Sequence, residues 1–319
     1  MTILRFLEDL RNPVLDWFHQ IVTYFGEQVV ILILVMVIYW CIDRKKGIFL
    51  MYVLVTGSAL NNLLKGIFCI PRPWVRDPEF TIVESAREGA GGYSFPSGHT
   101  QAAAACYLGI AWTTKNVKLK VAMVVLTFLV ALSRMHLGVH TPLDVSVAIV
   151  LSLLLVFVSY RIFKKWEDEP KKWMLPLYLF LAAVCAAQLI QQSFFPQRET
   201  ADPVNSAHAL ETAYKVTGLA IGMIAGVYLE ETKIRFRTDA VWWAQIMKMA
   251  IGLLGFLALQ KGLKPVLTAL TGGHPAAHTI RYSLVAFWGA GIWPMLFRFL
   301  PGTCQETLEP IESEEEEEE

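Results

Sequence analysis

Long apolar stretches, each closed by a short cluster of charges, alternate along the chain. Residues 47–64 and 173–197 carry no charged side chain, and shorter charge-free runs cover 28–42, 121–133, 145–160, 216–229, 249–260 and 282–297. About 20 apolar residues cross a bilayer as a helix, and charges at the ends can snorkel to the interface. The pattern predicts an amphipathic opening segment over residues 1–24, then nine candidate spans near 25–42, 48–68, 98–114, 119–136, 142–162, 173–193, 213–230, 244–262 and 281–300. The third, seventh and eighth are short or rich in Ala and Gly, a composition that suits close helix packing in membranes. No period of 20–50 residues recurs. The fold class expected is all-α, a polytopic membrane helical bundle.

Composition agrees. Of 319 residues, 55% are hydrophobic and only 18% charged, where average globular chains have about 25% charged. That excludes a disordered chain, a nucleic-acid binder and a small disulfide scaffold, and argues strongly against a soluble enzyme. The five cysteines (Cys41, Cys69, Cys106, Cys185, Cys304) stand singly and read as small apolar packers. The 28 basic and 28 acidic residues cancel, but Glu314 to Glu319 concentrate acid in a solvated tail over 301–319 with no catalytic role. The N-terminus has no basic region or cleavage site of the signal-peptide kind. The connections after spans one, three, five and seven carry fourteen Lys and Arg residues, among them Arg44, Lys118, Lys164 and Arg237. Basic loops stay cytoplasmic, so the N-terminus is expected outside and the acidic tail inside.

Ionisable residues at span ends are costly and mark function by default. Lys65 ends the second span, with Arg72 between Pro71 and Pro73; Pro96-Ser97-Gly98-His99 opens the third; Ser133-Arg134 closes the fourth; and His140-Thr141-Pro142-Leu143-Asp144 opens the fifth. Strict alternation places all these clusters on one face, the extracytoplasmic one. Lys65, Arg72 and Arg134 supply three cations, and the guanidinium fork suits phosphate oxygens. Ser97 is a good N-cap, Gly98 permits close approach, and free N–H groups at the helix start add to an anion site. His140 and Asp144 are four apart, so the carboxylate is expected to accept the Nδ1 proton and leave Nε2 nucleophilic. His99, at the head of another helix, is placed to protonate a leaving alkoxide. Neither step demands a metal or other cofactor, because the three cations stabilise the transferring oxygens.

At these residues the sequence resembles the type 2 phosphatidic acid phosphatase superfamily of integral membrane lipid phosphatases. The family's signature, K-x6-RP, PSGH and SR-x5-H-x3-D, stands here as Lys65 to Pro73, Pro96 to His99, and Ser133 to Asp144, with every specified residue and spacing kept. The resemblance implies a six-helix core over about 25–193, with His99 as acid and His140 as nucleophile. It implies a lipid phosphate or diphosphate substrate: a polyprenyl diphosphate first, phosphatidic acid or phosphatidylglycerol phosphate otherwise. It says nothing of the helices over 194–300. Competing functions are a phosphotransferase with a hydroxyl acceptor and a non-hydrolytic lipid transporter, which leaves the His–Asp pair without a purpose. The soluble vanadium haloperoxidases share the motif, but the spans argue against them.

Blander readings compete residue by residue. Thr141, Pro142 and Asp144 also look like an N-cap, N1 and N3. Asn61 either orients Lys65 or packs, and His136 is a candidate to point into the site. His274 and His278 flank Pro275 in a presumed loop, His19 and His208 read as surface residues, and most tryptophans read as interfacial belts. Gly89, Gly91 and Gly92 suggest a loop able to move over the pocket.

Overall fold

The structure, a computed structural model, describes residues 1–165, 167–194 and 203–301; the acidic tail and Cys304 lie outside the described residues. Every element among them is helical. The amphipathic opening becomes α1 (Thr2–Asp9) and α2 (Pro13–Tyr24), the latter started by Asn12, whose side chain accepts from Val14 N and Leu15 N. α3 (Gln28–Val37) follows at a 47° bend and runs into a π turn at Ile38–Ile42. α4 (Arg44–Phe68) is capped by Asp43 and ends at Cys69, whose left-handed backbone (φ 47°) turns the chain sharply out of the helix. A single turn, α5 (Pro73–Arg76), leads to a loop, then α6 (Gly98–Thr113), α7 (Val117–His136) and α8 (Pro142–Lys165). α9 (Pro170–Phe194), α10 (Pro203–Leu229), α11 (Trp242–Leu270), α12 (Ala276–Phe287) and the short α13 (Trp293–Met295) complete the bundle.

All nine expected spans have helical counterparts, but fewer have the length and composition to cross a membrane unaided. Five do: Arg44–Arg76, Pro142–Lys165, Pro170–Phe194, Pro203–Ile234 and Trp242–Leu270; the bent α2–α3 pair would make a sixth. α6 has only 16 residues. It is enclosed by α4, α7 and α8, and most of its residues between 100 and 111 are buried, so protein surrounds it where lipid would otherwise set its length. α12 is interrupted by a π turn at Trp288–Ile292.

The helices after α9 are tied to the earlier ones by packing and by polar contacts. Gly218, Gly222 and Gly226 repeat every four residues along α10, the first two facing α12 and the third the π turn after it: a Cβ built on Gly222 would lie 2.0 Å from Ser283 O, and one on Gly218 2.5 Å from Thr279 O. Only glycine lets the two backbones approach so closely. Arg44, at the start of α4, donates to Glu230 at 2.6 Å. Trp40 donates to Gly289 O at 3.0 Å and Tyr39 to Ala290 O at 2.8 Å. These contacts correct the interfacial-belt reading: Trp40, Trp173 and Trp293 are buried, because the helix ends that carry them are covered by neighbouring helices.

Candidate active site

The three motif clusters converge at one end of the bundle, opposite the end that carries Arg44. Each is placed by a helix terminus. Lys65 sits in the last turn of α4; Ser97 caps α6, accepting from Thr100 N at 3.4 Å; Arg134 lies in the last turn of α7. Thr141 and Asp144 form a reciprocal capping box at the head of α8, Thr141 N to Asp144 Oδ2 at 2.7 Å and Asp144 N to Thr141 Oγ1 at 3.3 Å. The capping reading of Asp144 is therefore realised, by the same carboxylate that faces His140. Ser97 N donates to Asp144 O at 3.1 Å and joins the heads of α6 and α8.

Arg72 is fixed by main chain. Its guanidinium donates to Gly91 O at 2.8 Å, Gly92 O at 3.0 Å and Val139 O at 2.9 Å. The expected mobile glycine loop is thus a clamp: Gly92 adopts φ 71°, and its carbonyl and that of Gly91 hold the cation. Lys65 Nζ donates to the next carbonyl, Tyr93 O, at 2.5 Å.

The fourth contact of Arg72 fixes the state of His140. Arg72 Nη1 lies 2.9 Å from His140 Nε2. A guanidinium only donates, so Nε2 accepts and the ring hydrogen is on Nδ1. The tautomer is the one a nucleophilic Nε2 requires. Its support differs from expectation, however. Nδ1 is 3.6 Å from Asp144 Oδ2, too far for a direct hydrogen bond. Ser94 stands beside both, with Oγ 3.5 Å from Nδ1 and donating to Asp144 Oδ2 at 2.6 Å. The carboxylate's hydrogen-bond partners are Ser94 and the Thr141 amide, and both it and Ser94 stand at longer range from His140 Nδ1. Burial, then the charges of Arg72, Arg134 and Lys65, hold the His140 pKa well below the usual imidazole range, so the ring is neutral at neutral pH.

Arg134 is 2% exposed. Its Nη1 donates to Thr23 Oγ1 at 2.8 Å, while Nε and Nη2 have no partner. Asp144 offsets Lys65 and Arg72 and Glu27 acts on Arg134, but the two bare nitrogens of a buried guanidinium are expensive unless a ligand meets them. A Cβ added to Gly98 would meet nothing within 4 Å, leaving the head of α6 open to such a ligand.

His99 finds a partner that no motif contains. Its Nε2 lies 2.8 Å from Glu27 Oε1, at the bend between α2 and α3. The bend is held by Tyr107, whose hydroxyl donates to Phe25 O at 2.6 Å, and by Gly26, where a Cβ would come 2.8 Å from Val130 and 3.2 Å from His99.

Other candidates fall elsewhere. Asn61 reaches Ser97 O at 3.5 Å and braces the α6 cap instead of orienting Lys65. His136 turns away from the site to Asp16 at 2.8 Å and stacks on His19 at 4.1 Å; His19 is accordingly buried and not a surface residue. His208, on α10, is exposed but packs its ring against the Gly91–Gly92 clamp, 3.1 Å from a Cβ built on Gly92. His278 is on α12, not in a loop. No group of three or more His, Cys, Asp or Glu side chains able to hold a metal occurs among the described residues.

Residues 46–168 match the pattern of the PAP2 superfamily, and residues 214–305 match that of the PAP2 superfamily phosphatase transmembrane extension. A probable sphingosine-1-phosphate phosphatase of Dictyostelium discoideum is 25% identical over 236 residues, 69% of this chain and 54% of that protein. The undecaprenyl-diphosphatase BcrC of Bacillus subtilis (strain 168) is 28% identical over 154 residues, 47% of this chain and 76% of that protein. The chain therefore spans about half the length of the first relative and three quarters of the second. No solved structure gives a significant match.

Proposed function

The chain belongs to the PAP2 superfamily, and on that premise we propose that it is a metal-independent membrane phosphatase that removes a phosphate from a lipid phosphomonoester or diphosphate. The observation that carries this reading is the pair of unpartnered Arg134 nitrogens beside a neutral His140 whose Nε2 already faces Arg72. A phosphoryl dianion entering between them accepts from Arg134, Lys65 and Arg72 and lies against Nε2. His140 Nε2 attacks phosphorus; the N–P bond forms as the P–O bond to the leaving group breaks, and His99 gives its proton to that oxygen. Water then attacks the phosphohistidine, His99 takes back a proton, and the N–P bond breaks to release phosphate and neutral His140. The positive charge on the ring during the intermediate is balanced by Asp144, while Glu27 holds His99 in place.

A polyprenyl diphosphate is the first substrate choice. Similarity to an undecaprenyl-diphosphatase supports it, and similarity to a probable sphingosine-1-phosphate phosphatase supports the broader lipid phosphate class. The basic helix ends opposite the site support an extracytoplasmic active site, with residues 25–193 as the catalytic unit and 194–300 as an addition to it. Purified protein should release phosphate in EDTA from at least one member of a panel of polyprenyl diphosphate, phosphatidic acid, sphingosine-1-phosphate and phosphatidylglycerol phosphate. A denaturing quench at alkaline pH with radiolabelled substrate should trap an alkali-stable, acid-labile label on His140. No release from any member, or release that requires added metal, would reject the reading.

A further inference from the structure

The helices beyond the core carry a second cluster of hydrogen-bond donors. Lys264 and Thr268 on α11, His274 in the turn that follows, and His278 and Arg281 on α12 line a small cavity, partly open to solvent. It lies at the same end of the bundle as the catalytic residues. Glu211, whose carboxylate meets His278 at 3.2 Å, stands three positions after His208, which touches the Gly91–Gly92 clamp.

The protonation pattern follows from the contacts. Arg281 Nη2 donates to His278 Nδ1 at 2.9 Å, so Nδ1 accepts and His278 Nε2 carries the hydrogen that faces Glu211. Glu211 also accepts from Lys215 at 2.7 Å. His274 Nδ1 accepts from Ala276 N at 3.1 Å, which leaves its Nε2 as a donor when the ring is neutral. Arg281 is 7% exposed, yet its Nε has no partner. The lining contains no Asp or Glu among the described residues, and the Glu211 carboxylate is engaged by Lys215 and His278. A buried guanidinium beside a lysine, a histidine donor and a hydroxyl is built for an anion, as a metal would need acceptors in their place.

We propose that this cavity binds a phosphate group, separate from the catalytic centre, with Lys264 and Arg281 as the charged contacts and the Glu211–His278 pair holding Arg281 in place. Two sources present that chemistry at this face: the phosphodiester of an anionic phospholipid headgroup, and free inorganic phosphate.

The test uses the full-length protein in nanodiscs of phosphatidylcholine with radiolabelled inorganic phosphate. Wild type should bind a component of label that Lys264→Gln weakens about tenfold, the equivalent of one charge-assisted hydrogen bond. Phosphate release from lipid substrate by Lys264→Gln, an exposed position that tolerates the change, should stay at the wild-type rate. Arg281→Gln should abolish this component and Arg281→Lys should retain part of it. If phosphatidylglycerol added to the nanodiscs displaces the Lys264-dependent label, the lipid headgroup is the occupant; if it does not, free phosphate is. Bound phosphate and phosphatidylglycerol that are both indifferent to Lys264→Gln and Arg281→Lys overturn the proposal, whatever becomes of catalysis at His140.

Discussion

The catalytic end of the bundle and the α10–α12 seam solve opposite problems with opposite materials. At the seam the chain removes side chains: Gly218 and Gly222 let α12, and Gly226 the π turn after it, press against the α10 backbone. At the catalytic end the chain buries long charged side chains and leaves two nitrogens of Arg134 unsatisfied. In a bilayer, where apolar burial between helices gains little over lipid, close packing supplies stability, whereas a buried cation without a partner lowers it.

Substitutions can separate the two. His140→Ala should lower turnover on the order of 10⁴-fold or more, since the covalent route is lost, while the thermal unfolding midpoint in detergent stays near wild type. Comparable turnover in that variant would remove the nucleophile. Arg134→Gln should lower kcat by about 10²–10³-fold, the range for removing one donor to a developing oxyanion, and should raise the unfolding midpoint in substrate-free protein or leave it unchanged, because a buried unpaired charge disappears. Glu27→Gln should reduce kcat by about 10–100-fold, as for a group that orients a catalytic ligand, and should alter the basic limb of the pH profile more than KM. Gly222→Val should do the reverse of all three. Overpacking the seam is expected to cost about 1–3 kcal/mol of stability, read as a lower unfolding midpoint, with turnover per folded molecule little changed.

The pH profile sharpens the contrast without mutation. His140 must be neutral to attack, and its folded pKa is depressed from 6.5 by burial and by the three cations. The group therefore stays unprotonated well below pH 6.5, and the acid limb of kcat/KM should fall on the acid side of that value. The same sign governs stability: the unfolded ring takes up a proton as pH falls through 6.5 and the folded one does not, so acid weakens the fold. An acid limb above pH 6.5 would contradict the geometry around His140.

The sequence showed the helices and the motif residues plainly, because both depend on local rules. Charge-free runs marked the bundle, and Ser97 announced a helix start through its side-chain cap. The assembly around the motifs was harder to read. Glu27 reaches His99 across 72 positions from a bend that no pattern predicts, and it reads locally as one more interfacial acid. Ser94 was in view, three residues before Ser97, but its place between His140 and Asp144 depends on how the 91–97 loop meets α8. The four-residue spacing of His140 and Asp144 promised a direct bond on a helix face. His140, however, precedes α8, where helical spacing does not apply. Trp40 looked interfacial because it stands beside charges; the π turn and the later helices enclose it. The glycine spacing along α10 was legible as a stripe of small residues, but its partner helix was not.

Arg72 is aimed by the oxygens of Gly91, Gly92 and Val139, and peptide oxygens are the same whatever residue bears them. Mutational drift at Gly91 or Val139 can therefore alter the walls around the phosphate without re-aiming the guanidinium. Gly92 alone has little freedom to vary, given its positive φ and the His208 ring beside it. New lipid preferences can thus evolve around a cation whose direction is inherited from the backbone.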